Sequence, residues 1–178
     1  MKTLQKKCLV VATASLITAP VLAESYIGGN LGQTDYQEGE EQLSWEFIGG
    51  FKFHEYLGVE LFYLDLGKNE IEDPIDLALV EYQFSGWGAA LRAELPLLQT
   101  LNLYSRIGFY DWDADVTVTL DGFEETGSLD DRDLRYGFGL AWNVAENAKV
   151  SFGYDAFEFD FSSSDDVENL NIGVIFSF

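Results

Sequence analysis

Every second residue from Leu170 to Phe178 is apolar, and the residues between, Ile175 apart, are polar or small. Leu170, Ile172, Val174, Phe176 and Phe178 share one face, and Asn169, Asn171, Gly173 and Ser177 share the other. A period of two marks an extended strand whose faces meet different surroundings, because successive side chains point to opposite sides. The pattern recurs upstream. Leu134, Tyr136, Phe138, Leu140, Trp142 and Val144 alternate with Arg135, Gly137, Gly139, Ala141 and Asn143. Leu43, Trp45, Phe47, Phe51 and Phe53 alternate with Ser44, Glu46, Gly50 and Lys52, and Leu57, Val59, Leu61 and Tyr63 oppose Gly58 and Glu60. Eight such runs begin near Ser25, Leu43, Leu57, Val80, Leu101, Asp133, Lys149 and Val167. Each offers the roughly nine to eleven residues that a tilted strand needs to cross a bilayer. No apolar stretch approaches the roughly 18 residues of a spanning helix, so any membrane span must be made of strands.

The connections between runs are of two kinds. His54–Tyr56, Pro96–Thr100 and Ala145–Ala148 are short, whereas Gln33–Gln42, Lys68–Asp76, Asp113–Arg132 and Phe159–Asp166 are longer and acidic. Short and long alternate strictly, as in an up-and-down barrel with tight periplasmic turns and long outer loops. An even strand count leaves both termini on the periplasmic side. A soluble lipocalin-like barrel would also have eight strands, with an apolar interior and a polar exterior. Here the polar face is rich in Gly and Ala with isolated charges among them, which suits a narrow lumen better than a wetted surface. The apolar face carries Tyr63, Trp142 and Tyr154 near strand ends, where membrane girdles sit. The expected fold is therefore all-β, an eight-stranded antiparallel up-and-down transmembrane β-barrel. Closure is required because hydrocarbon cannot satisfy an open sheet edge.

Residues 1–23 read as a cleaved secretory signal. Lys2, Lys6 and Lys7 give a positive start, an apolar run extends from Cys8 to Ala19, and Val21 and Ala23 are the small residues needed before the cleavage point. The barrel domain is then 24–178, and Cys8, the single cysteine, leaves with the signal, so no disulfide or thiol chemistry is expected. Three of the ten basic residues leave too, and none of the 31 acids, so the remaining 155 residues carry a net charge of −24. That balance argues against nucleic acid as a partner, since phosphate binding needs a basic surface.

Several segments resemble the transmembrane domain of the outer membrane protein A family of Gram-negative bacteria. YIGGNLG at Tyr26–Gly32 is similar to its first strand, and IGGFKFHEYLGVELFYLDLGK at Ile48–Lys68 to its second and third strands with their tight turn. LNLYSRIGFYDWDAD at Leu101–Asp115 resembles the fifth strand and LNIGVIFSF at Leu170–Phe178 the last. The resemblance implies an integral outer-membrane protein, exported through the periplasm and inserted by the barrel assembly machinery, with Phe178 as the C-terminal aromatic that machinery reads. Because the sequence stops at Phe178, the family's periplasmic peptidoglycan-binding domain is expected to be absent. The family also carries an interior glutamate that switches between an arginine and a lysine. Glu60 falls on the glutamate and Arg92 on the lysine, but Ser151 stands at the arginine position and Ala141 where the family has a second glutamate.

The pleat places Glu46, Lys52, Glu60, Arg92, Glu94, Arg106, Arg135 and Asp155 inside the barrel, four of each sign. An eight-stranded barrel is only just wide enough to be filled by side chains, and charges confined there need partners. Glu60 with Arg92 or Arg106 is the expected central pair, either as a static plug or as a rearranging gate. Asp111, Asp113 and Asp115 are spaced like the opening of a calcium loop, but Val116 stands where Gly is needed and Gly122 where a bidentate acid is needed, which excludes an EF-hand. Loose capture of divalent cations by these carboxylates, bridging to lipopolysaccharide phosphates, is the weaker expectation. His54, the single histidine, lies in a short turn on the expected periplasmic side, away from any acid or serine on the outer side. Neither catalysis nor a cofactor is expected. The expected role is structural or in surface interaction, with lipid and lipopolysaccharide as surroundings and a monomeric barrel. The alternatives are a narrow channel for ions or small solutes and, more distantly, an adhesin or ligand-binding surface protein.

Overall fold

The computed structural model describes residues 24–36, 41–73, 78–120, 123–158 and 166–178. The expected signal segment lies outside the described residues. Eight strands follow in chain order, β1 (Glu24–Asp35), β2 (Gln42–His54), β3 (Leu57–Asp73), β4 (Ala78–Pro96), β5 (Leu101–Leu120), β6 (Phe123–Ala145), β7 (Ala148–Glu158) and β8 (Asp166–Ser177). Each pairs antiparallel with its neighbour in sequence, and β1 pairs with β8 to close the barrel. At the seam the Ser25 and Phe178 backbones exchange two hydrogen bonds, of 3.3 and 2.9 Å.

The alternation read in the sequence separates two environments. Leu31, Phe47, Leu61, Trp87, Phe109, Phe138, Phe152 and Leu170, one from each strand, are all more than half exposed on the outer face. Their in-strand neighbours Asn30, Glu46, Glu60, Gly86, Gly108, Gly137, Ser151 and Asn171 are buried inside. A barrel that is apolar outside and polar within is built for hydrocarbon, the reverse of the lipocalin arrangement. Trp45, Tyr63 and Trp87 form a ring-to-ring row across β2, β3 and β4, with centroids 5.4 and 4.8 Å apart.

The eight strands are of unequal height. β1, β2, β7 and β8 have 11 to 13 residues, whereas β3 to β6 have 17 to 23. The β2–β3 register ends at Trp45↔Asp65, but β3–β4 continues to Asp73↔Ala78. The β6–β7 register ends at Leu134↔Glu158, but β5–β6 continues to Leu120↔Phe123. A four-stranded wall thus rises on one side beyond the closed barrel, at the end opposite the tight turns.

This wall corrects two of the expected loops. Asp113–Arg132 is almost wholly strand, with β6 beginning ten residues earlier than its apolar alternation does, and Lys68–Asp76 is strand as far as Asp73. The reason is physical. Every side chain from Thr126 to Arg132 is exposed on both faces of β6, so the contrast between faces that marks a membrane strand vanishes there. Only the β-branched run Val116–Thr119 remained as a signal.

On the β3 side the wall starts with a bulge between Asp65 and Lys68. Gly67 sits there at φ +84°, and an added Cβ would meet the Leu43 carbonyl at 2.7 Å, so both backbone angle and space call for glycine. The Gly67 amide donates to Asp65 Oδ1 at 2.8 Å.

Candidate functional site in the barrel lumen

The interior is layered along the barrel axis. Nearest the tight turns, Lys149 Nζ donates to Glu94 Oε1 at 2.5 Å, and Lys52 Nζ lies 3.8 Å from Glu94 and 3.5 Å from Glu24. The next layer holds Glu60. Its Oε1 accepts from Arg92 Nη1 at 3.1 Å and from the Tyr26 hydroxyl at 2.9 Å, while its Oε2 lies 4.0 Å from Arg106 Nη1. The central carboxylate thus faces both arginines that its position made available, bonding to Arg92 and remaining within ion-pair distance of Arg106. Arg92 also reaches Glu94 at 3.6 Å and stacks over the Tyr104 ring, 3.9 Å from its centroid.

Above this lies a four-charge cluster. Arg106 donates to Asp155 through Nε at 2.7 Å and also through Nη2, and its Nη1 reaches Glu46 at 3.4 Å. Arg135 donates to Glu46 through Nη1 and to Asp155 through Nε at 3.4 Å. Asn30 and Asn171 complete it, donating to Glu46 at 2.6 Å and to Asp155 at 2.7 Å. All eight of the interior charges read from the sequence therefore line the lumen, and every one has an oppositely charged partner. Pairing of this quality is what allows charges to persist in a low-dielectric interior.

The two departures from the family pattern meet in space. Ala141 and Ser151 are buried and paired across β6 and β7. The volume beside them is taken by Tyr104, whose hydroxyl lies where a Cβ on Gly139 or Gly153 would stand.

Toward the wall the lumen changes character. Phe62, Leu64, Leu66, Tyr110, Trp112 and Phe157 fill it, none more than 2% exposed. Arg135 joins the two regimes, its guanidinium carbon 4.3 Å from the Phe62 centroid and 5.3 Å from that of Phe157. The polar tips of this layer are satisfied, with Tyr110 donating to the Leu64 carbonyl at 3.2 Å and Trp112 Nε1 to Asp133 at 2.6 Å. Charges alone do not reveal this apolar layer. Its signal was parity, since Phe62 shares a face with Glu60, Phe157 with Asp155, and Tyr110 and Trp112 with Arg106.

Asp111, Asp113 and Asp115 lie on β5 rather than in a loop. Alternate residues of one strand are about 7 Å apart, so the three carboxylates line up along the exposed outer face instead of converging. Asp111 is held by Arg132, through Nε and through Nη2 at 2.8 Å, and Asp113 stands directly opposite Asp130. Among the described residues no group of three ligating side chains is placed to hold a metal. His54 accepts a hydrogen bond from the Tyr56 amide at 3.2 Å within the first tight turn. Phe178 is exposed beside the seam.

An apolar outer belt around a charged, packed interior defines a small integral membrane barrel. The chain belongs to the family described as the outer membrane protein beta-barrel domain, which matches residues 9–178, and it is a protein of the cell outer membrane. It is 28% identical over 137 residues to outer membrane protein A of Yersinia pseudotuberculosis, an alignment covering 66% of this chain and 38% of that protein. To outer membrane protein A of Klebsiella pneumoniae it is 29% identical over 151 residues, covering 72% of this chain and 42% of the other. The chain thus spans about two-fifths of the length of these relatives. Among solved structures, neisserial surface protein A superposes with a TM-score of 0.64 at 15% identity, covering 88% of this chain and 97% of the other, a likeness of fold.

Proposed function

We propose that this is a non-enzymatic outer-membrane protein with a closed lumen, whose barrel anchors an acidic, strand-built wall at the cell surface for structural or interaction purposes. In this reading residues 1–23 are removed on export, the tight turns face the periplasm, the barrel is inserted by the assembly machinery with Phe178 as its signal, and it stands as a monomer among lipid and lipopolysaccharide. The supporting observation is the double filling of the lumen, in which paired charges are topped by six apolar side chains with almost no accessible surface.

The channel reading has one observation in its favour. Glu60 Oε2, Arg92 Nη2, Asn30 Oδ1 and Asn171 Oδ1 are buried without a protein hydrogen-bond partner, which is where interior water binds. A cavity of about 10 Å³ between Tyr26, Lys52, Arg92, Glu94 and Lys149 has room for about one water molecule. Isolated waters are not a path, and the apolar layer lies across the axis above them.

Planar-bilayer conductance of the refolded protein, with a heat-dependent gel shift to verify folding, tests the proposal. Folded protein is expected to give no discrete steps. Reproducible steps would make it a channel and would overturn the closed lumen.

A further inference from the structure

The three tight turns differ in chemistry. His54–Tyr56 and Ala145–Ala148 each hold an exposed carboxylate, Glu55 and Glu146. The turn between β4 and β5, Pro96–Thr100, holds none. From Leu95 to Ser105 the chain has no Asp, Glu, Lys, Arg or His, and the charges that bracket this stretch, Glu94 and Arg106, are both buried in the lumen. Leu95, Leu97 and Leu98 are each more than half exposed. Single exposed leucines are ordinary on protein surfaces, whereas a contiguous apolar patch marks a surface that something covers. This patch is continuous with the lipid-facing belt. Leu95 stands directly opposite Leu103, Leu103 opposite Leu140, and Leu101, the first residue after the turn, opposite Trp142. Leu103, Leu140 and Trp142 are exposed on the outer face, and tryptophan favours the headgroup level of a bilayer.

The backbone of the turn suits the same place. Pro96 has no amide to satisfy. The amides of Leu97 and Leu98 both donate to the Leu101 carbonyl, at 2.9 and 3.0 Å, and the Leu101 amide donates to the Leu98 carbonyl at 3.4 Å. The Thr100 carbonyl accepts from the Asn143 amide of β6 at 2.8 Å. The two leucines therefore bring no unsatisfied amide with them into a region poor in water. Gln99 and Thr100 follow with polar side chains, which fits the boundary between headgroups and acyl chains rather than the hydrocarbon itself.

We propose that the β4–β5 turn is a membrane-interface anchor, with Leu97 and Leu98 inserted at the acyl-chain boundary of the adjacent leaflet while the β2–β3 and β6–β7 turns stand in water. The partner is the lipid surface, and apolar burial holds the turn to it. Headgroup charge does not, because the turn offers no cation to a phosphate. The anchor acts on one side of the barrel only. β4 and β5 are also the two middle strands of the wall, so the depth of this turn sets how far the middle of the wall stands from the bilayer. The proposal goes beyond the closed-lumen reading and holds whichever leaflet the tight turns meet.

The test uses the full chain refolded in nanodiscs of zwitterionic lipid and observed by amide NMR. Two paramagnetic probes are added in turn, a lipid carrying a nitroxide close to its headgroup and a water-soluble gadolinium chelate. The amide signals of Leu97 and Leu98 are expected to be lost with the lipid probe and spared by the chelate, and those of Glu55 and Glu146 the reverse. Leu97→Asp with Leu98→Asp is expected to make the turn respond as the other two do, with the heat-dependent gel shift retained as proof of folding, whereas Leu98→Phe keeps the original response. Repeating the measurement in anionic lipid should leave the pattern unchanged, and a dependence on lipid charge would overturn apolar insertion. Loss of all three turns to the chelate would overturn the anchor. Loss of all three to the lipid probe would overturn the distinction between the turns.

Discussion

Near the tight turns the barrel is filled by Lys52, Glu60, Arg92 and Glu94, whereas toward the wall it is filled by Phe62, Leu64, Leu66, Tyr110 and Trp112. The two fillings respond to damage differently. In the charged half each group is stabilised only by its partners, so losing one leaves another buried charge without compensation. In the apolar half each side chain contributes mainly through its own contacts, and losing one leaves a cavity in proportion to its volume. The comparison teaches that the charged half depends on pairing and the apolar half on volume.

That difference can be broken open by substitution, with unfolding in urea and the heat-dependent gel shift as readouts. Asp155→Ala is expected to have the largest effect, about 3–5 kcal/mol, because it leaves Arg106 and Arg135 sharing Glu46 and the cluster with a net buried positive charge. Phe157→Ala should follow at about 3 kcal/mol, the ordinary cost of a buried ring. If the ring cost more than the aspartate, the dependence of the charged half on pairing would be refuted. Glu60→Gln keeps the shape and one acceptor, and Arg92 retains Glu94, so a loss of about 1–2 kcal/mol is expected. An unchanged midpoint would mean that the central pair contributes nothing. Arg132→Ala, which breaks an ion pair in the open on the wall, should leave the urea midpoint where it is, since exposed pairs are weak.

The sequence was most readable where the surroundings of the two strand faces differ most. Between lipid and lumen, Leu170–Phe178 and Leu134–Val144 could be assigned residue by residue, and the tight turns fell into place as breaks between them. The same rule placed the eight interior charges. It could not pair them, because Arg106 reaches Asp155 across the lumen rather than along a strand, and no spacing in the sequence encodes that distance. The apolar layer was missed for a related reason. Phe62 and Phe157 belong by parity to the interior, but an aromatic residue in a membrane strand suggests a lipid-facing position unless its phase is counted from a neighbouring charge. The wall was read as loop because exposure on both faces of Thr126–Arg132 erases the contrast on which the assignment depends.

The seam between β1 and β8 has a consequence for biogenesis. Ser25 and Phe178 come from opposite ends of the described chain, and their mutual hydrogen bonds complete the last of eight ladders. Until that ladder forms, β1 and β8 each expose a row of unmatched peptide groups that hydrocarbon will not accept. Seven correctly paired strands are therefore not a nearly finished molecule, and a synthesis interrupted before its final strand leaves nothing that can reside stably in the lipid. In circular terms, the chain has no true first strand. Joining Phe178 to Glu24 by a short linker and cutting instead at the Glu146–Asn147 turn would rename every strand while preserving the same eight ladders.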